Sequence, residues 1–161
     1  MQVKSRHHLR ADEIDGLEAT IAAGTGVDLD GDTYERVELA DEAFDVVLVD
    51  DDPDVVRFGA DAEAFLTVQG ANRHDPTSGI VTVDAGAISF VSDGADVMRP
   101  GIVEADDAIS AGDLVVIAEE THGKVLAVGR ARVAGEEMVG DSGKVVDSIH
   151  HVGDELYTFA P

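Results

Sequence analysis

The sequence predicts two units in series: a small α+β unit with one helix on an antiparallel sheet, then a mainly-β unit built as a small barrel or sandwich. Three observations lead there. One amphipathic stretch lies near the N-terminus and is followed by short runs rich in Val and Leu. A polar, turn-rich segment, "NRHDPTSG" (72–79), interrupts the chain near its middle. Beyond it the texture changes, because residues 77–161 hold 11 of the 17 glycines and these separate many short apolar runs. The expected domains are residues 1–74 and 77–161.

In order, residues 2–9 read as a short strand carrying basic residues. Residues 11–23 read as a helix: Ile14, Leu17 and Ile21 recur at spacings of three and four, acids occupy the first turn or the opposite face, and Gly24 and Gly26 stop it. "DTYERVEL" (32–39) alternates like a half-buried strand, and "AFDVVLVD" (43–50) runs apolar like a buried one. "DDPD" (51–54) reads as a turn and "VVRF" (55–58) as a third strand. "AFLTVQGA" (64–71) is apolar and fits either element type. After the boundary, strands are expected at 80–83, 96–98, 101–104, 113–119, 124–133, 144–152 and 156–159. No internal repeat or low-complexity tract is present.

The formal net charge is −23, from 34 acids against 11 Lys and Arg. It is spread over both halves. Scarce Lys, abundant Asp and few aromatics point to a solvated surface suited to concentrated salt, where the Debye length falls to about 3 Å and self-repulsion is screened. The expectation is a halophilic, archaeal cytoplasm. The chain has no cysteine, which excludes disulfides, thiolate metal sites and Cys nucleophiles. No run approaches the roughly 20 apolar residues of a membrane span, and "MQVKSRHHLR" lacks a secretory signal's apolar core.

Residues 83–101, "VDAGAISFVSDGADVMRPG", combine turn residues with helical apolar spacing. Asp84 is a good N-cap, Ala87, Ile88 and Val91 share a face, and Gly94 can take positive φ at the end. Gly86 falls in the first turn, where glycine is worse than alanine by about 1 kcal/mol. Two accounts offset that: close packing of the helix start on a strand, or close approach of a ligand to free N–H groups. The ordered series Asp84, Gly86-Ala87, Gly94-Ala95, Pro100-Gly101, then "AGDLVVIAE" (111–119), "GKVLAVGRARV" (123–133) and "DSIHHVGDEL" (147–156), resembles a PUA domain, an RNA-binding module. With a small α+β domain ahead of it, the chain resembles the archaeal relatives of the translation factors named after malignant T-cell amplification. An aromatic-Pro-Thr-Leu element expected before the module is reduced to "FLTV" (65–68).

The resemblance implies a mainly-β pseudobarrel with short helices, preceded by a pre-PUA α+β domain. It nominates Gly86, Ala87, Met98, Arg99, Pro100, Arg130, Arg132, His150 and His151 for contact with RNA. The basic cluster Lys4, Arg6 and Arg10 joins them by charge. The expected partner is structured RNA, tRNA or ribosomal RNA, with the small ribosomal subunit or a translation factor; no DNA and no membrane are expected. Alternatives are a protein–protein adaptor and the RNA-specificity module of a tRNA or rRNA modification enzyme. No catalysis, cofactor or metal is expected. Asp28, Asp30 and Asp32 have calcium-loop spacing, but Thr33 and Leu39 stand where such a loop needs Gly and Glu. No GxSxG elbow, HExxH or strand-linked dinucleotide loop exists.

Overall fold

The structure, a computed structural model, describes residues 1–59 and 62–161. β1 (Val3–His8), β2 (Tyr34–Leu39), β3 (Phe44–Val49), β4 (Asp52–Phe58) and β5 (Glu63–Leu66) pair antiparallel in chain order, as the α+β expectation requires. α1 (Ala11–Thr25) links β1 to β2 and buries Leu17 and Ile21 against Tyr34, Val47, Val49 and Val55. Gly24 falls inside this helix; Gly26, with φ of 74°, ends it.

Three expectations shift. The turn expected over 51–54 lies at Asp50 and Asp51, both at positive φ, so β4 starts at Asp52. Pro53 is tolerated there because β5 pairs only with Val55–Phe58. The ambiguous stretch 64–71 contains both element types. β5 ends at Leu66, and Thr67 accepts the Gly70 N–H to cap α2 (Val68–His74). "LYTF" (156–159), expected as a strand, is a turn. It places Leu156 on Val37, Leu39, Val46, Leu48 and Val56 and so covers the face of the first sheet that α1 leaves open.

The second sheet comprises β6 (Ile80–Val83), β7 (Val97–Met98), β8 (Ile102–Ala105), β9 (Leu114–Glu119), β10 (Val125–Ala131) and β11 (Lys144–His151). Their order is β7-β11-β10-β9-β6-β8, antiparallel except for the parallel β6–β9 pair. They curl into a nearly closed pseudobarrel with short helices. α3 (Ile88–Ser92) follows a 3-10 turn at Ala85–Ala87.

β9 explains how the halves meet. All six of its residues are buried. Val115 and Ile117 point into the barrel with Val81, Leu126 and Met138, whereas Leu114, Val116 and Ala118 point at Ile21, Phe65, Val68 and Ala71 of the first half. A strand with two buried faces reads as a continuous apolar run, which "LVVIA" is. Polar clamps complete this contact. Asn72 donates to the Val125 carbonyl at 3.0 Å and accepts from the Val125 N–H at 2.8 Å, and Gln69 donates to the Leu156 carbonyl at 2.9 Å. Among the described residues no helix is long and apolar enough to cross a membrane.

Candidate functional site

Residues 84–101 form one wall-and-floor unit. Asp84 caps as expected: its carboxylate accepts the Ala87 N–H at 3.1 Å. Gly94, with φ of 93°, ends α3 and turns the chain into β7. Between α3 and β7 lies an open groove of about 350 Å³, lined chiefly by Gly86, Ala87, Phe90, Met98 and Pro100. The groove therefore gathers four of the nominated residues: Gly86, Ala87, Met98 and Pro100.

Gly86 resolves one of the two accounts of its cost. A Cβ built there would meet nothing but the Asp84 carboxylate at 3.4 Å. Packing does not require this glycine, since that distance is an ordinary van der Waals contact. Gly101, beneath it, is different, since a Cβ there would lie 3.1 Å from that of Ala87. The Asp84 carboxylate sits on the helix start, so one of the N–H groups there is already taken. Asp96 is the other charged residue lining the groove, and no Lys, Arg or His lines it among the described residues. Lys144, 2.9 Å from Asp96, and the Ser148 N–H hold the Asp96 carboxyl below its ordinary value.

The nominated cations lie outside the groove lining, and all but Lys4 are engaged with the protein. Arg99 donates to the carbonyls of Glu137 and Ser142, both at 2.9 Å, and straps the loop between β10 and β11 to the barrel. Arg130 spans the two halves, donating to Glu63 of β5 and the Gly112 carbonyl, each at 2.8 Å. Arg132 lies 3.9 Å from Asp147, with both side chains about half exposed. Arg6 pairs with Glu35 on the exposed edge strand β1, and Arg10 with Asp12 and Glu13. Lys4 is exposed and forms no ion pair with the described residues.

The adjacent histidines face opposite ways, as strand geometry requires. His150 is 1% exposed. Its Nε2 accepts the Val68 N–H at 3.0 Å and its Nδ1 donates to Asp154 at 2.8 Å, which fixes the tautomer and pins β11 to the start of α2. The ring has no face left for RNA. His151 Nδ1 donates to the Ser92 carbonyl at 2.9 Å, satisfying the end of α3, and its ring fills the space a Gly94 side chain would need. Burial pushes the Asp154 carboxyl up, but the hydrogen bond and charge of His150 and the N–H groups of His151 and Tyr157 outweigh it and hold it below its usual range.

One groove residue escaped the sequence reading. Phe90 is 66% exposed and Met98, across from it, 47%. The signal was available: Ala87, Ile88 and Val91 define the buried stripe of this helix, and Phe90 lies off it. An aromatic out of phase with its own helix is exposed.

A glycine-capped short helix facing an early strand across an apolar groove, on a six-stranded pseudobarrel, defines a PUA-type module of the RNA-binding class. The sequence model of the PUA domain matches residues 79–153. The chain is 40% identical over 126 residues to an uncharacterized protein of Methanocaldococcus jannaschii, covering 77% of this chain and 76% of that one. It is 30% identical over 132 residues to translation machinery-associated protein 20 of Saccharomyces cerevisiae, covering 78% and 73%. A crystal structure of a hypothetical protein from Pyrococcus horikoshii superposes with a TM-score of 0.86 at 29% identity, over 98% of this chain and 100% of that one. The chain belongs to the family of PUA-domain proteins related to translation machinery-associated protein 20.

Proposed function

We propose that the protein is a non-catalytic RNA-binding component of translation that holds structured RNA, a tRNA or small-subunit ribosomal RNA, through its PUA groove. The observation that carries this reading is the open groove itself: it gathers Gly86, Ala87, Met98 and Pro100, and no packing constraint accounts for Gly86. Residues 1–74 serve as a second domain fixed to residues 77–161 through the β9 core, so that both present to the RNA as one body. Lys4, exposed and without an ion pair among the described residues, can meet a phosphate at the far edge of the first sheet.

A chain of net charge −23 holds RNA best where salt already screens repulsion and counterion release contributes little. The acidic surface is therefore read as adaptation to concentrated salt, and contacts indifferent to salt carry the binding. The test is crosslinking and sequencing with total RNA in multimolar KCl. Protection of a tRNA or a small-subunit rRNA segment is the expected result. No protected RNA, with the protein folded, overturns the reading; partners that persist after nuclease treatment would make the chain an adaptor instead.

A further inference from the structure

A second concavity shares no lining residue with the groove. It lies where the ends of β3 and β4 meet β11 and the turn after it. It measures about 320 Å³, and Phe44, Phe58, Ile149 and Leu156 supply its apolar walls. Phe44 and Phe58 are register partners on β3 and β4, and their rings brace each other edge to face with centroids 6.2 Å apart. Both remain only partly buried. Ile149 is the extra residue of a bulge in β11: His150 faces Val128 and Ser148 faces Gly129, which leaves Ile149 without a partner on β10. A bulge re-aims a side chain, and this one leaves an isoleucine 40% exposed beside two aromatic rings. Exposed apolar groups gathered around a hollow mark a surface that another surface covers. The rim is acidic. Glu42, Asp154 and Glu155 line it, and no Lys or Arg does so among the described residues. Asp154 is taken by His150 and by the N–H groups of His151 and Tyr157, and Glu155 stands 3.9 Å from the Met1 ammonium. Glu42 differs from both. It is half-buried in the turn between β2 and β3 and has neither an ion pair nor a hydrogen bond among the described residues. A carboxylate partly withdrawn from water beside apolar walls gains most from an added cation, and salt screens such a contact less than one on the open surface.

We propose that this cavity docks a protein segment that places one large apolar side chain between Phe44, Phe58 and Ile149 and a Lys or Arg beside it on Glu42. The occupant is a protein rather than RNA because the rim repels phosphate and offers no Lys or Arg to hold a nucleic-acid backbone. The proposal does not rest on the RNA-binding reading; it gives the chain a second face, for a basic partner. One anchor in a small apolar pocket carries most of the energy of such a contact, and complementary charge beside it selects the partner.

The experiment selects a display library of random dodecapeptides on the full chain in multimolar KCl, where unspecific attraction to the acidic surface is screened. The selected peptides are then synthesised, titrated, and mapped by NMR shifts of ring and methyl groups. They are expected to share a Leu, Phe or Met next to a Lys or Arg and to shift Phe44, Phe58 and Ile149. Ile149→Ala, which trims an exposed side chain, should weaken them about fivefold. Glu42→Gln keeps the shape and removes the charge, and should weaken them about fivefold as well. Glu136→Gln removes the same charge from the exposed loop between β10 and β11 and should change nothing. Thermal melts establish that the three variants are folded. Selection of no peptide, selection of peptides without a basic residue, a footprint elsewhere, or equal behaviour of Glu42→Gln and Glu136→Gln each overturns the proposal. So does an RNA that shifts Phe44 and Ile149 and displaces the peptides, which would give the cavity to nucleic acid. None of these outcomes touches the reading of the groove, and loss of RNA binding by the groove would leave this face standing.

Discussion

The junction between the halves and the groove are built from the same residue types used in opposite ways. In α2, Gly70 has no room for a side chain because a Cβ would collide with the Asp54 carbonyl of β4. At the junction itself His150 uses both ring nitrogens, and Arg130 ends on Glu63. In the groove, Gly86 has room for a Cβ, Phe90 is mostly exposed, and one Asp84 oxygen takes no hydrogen bond from the described residues. Satisfied polar groups and filled space indicate stability; unfilled space beside exposed apolar groups indicates a partner. A glycine or an arginine therefore cannot be assigned a role from its identity. What surrounds it decides.

The largest effect should come from breaking the closed side. Gly70→Ala forces a methyl into the backbone of β4, and a loss of more than about 3 kcal/mol is expected, on the order of 10 °C in Tm for a chain of this size. Gly86→Ala is the matched control: stability unchanged or raised by up to about 1 kcal/mol, with weaker RNA binding. Thermal melts of the two variants in concentrated KCl check this, and equal destabilisation would erase the distinction between the regions. Next is His150→Ala, which leaves the Val68 N–H without its partner and takes one of three donors from the Asp154 carboxylate. A loss of about 1–3 kcal/mol is expected, read by denaturant titration, with little change in the intrinsic affinity of the groove for RNA.

Much of this arrangement was legible in the sequence, and the part that was not has a physical reason. The first sheet, α1, the PUA barrel and the Asp84 cap follow from periodicity, turn residues and an ordered motif series, all local signals. Thr67 as an N-cap inside "FLTVQG" was hidden because strand and helix there share one short apolar run. Arg99, Arg130 and His150 were nominated as RNA contacts by the family resemblance, and a sequence does not show which residues each of them meets. Glu63 lies 67 residues before Arg130, and Val68 lies 82 before His150. Phe90 was overlooked although its helical phase marked it, since aromatics in short helices are usually core.

A smaller, pH-dependent effect tests the junction without removing an atom from the groove. The Asp154 carboxyl is held below its unfolded value of about 3.8. Its contribution to stability is therefore present above that value and is lost as pH falls through the folded one. Stability of wild type relative to Asp154→Asn should be highest near neutrality and shrink below about pH 4. A difference constant down to pH 3 would show that the His150–Asp154 contact does not stabilise the charged carboxylate.

The smallest effect on stability is expected where neither description applies. Arg132 lies 3.9 Å from Asp147, and both side chains are about half exposed. Water competes for such a pair, so its net contribution is near zero, and Arg132→Ala should leave stability within about 0.5 kcal/mol. That makes Arg132 the clean probe of ordinary charge readout on the barrel. If it meets a phosphate, Arg132→Ala weakens RNA uniformly across sequences and lowers the slope of log K against log[KCl] by up to about one. Phe90→Ala, in contrast, shifts affinity at constant slope. The two slopes, measured on one RNA, separate phosphate contact from apolar contact. If Arg132→Ala changes neither affinity nor slope, Arg132 meets no phosphate, and the RNA contact of the PUA half lies away from the end of β10.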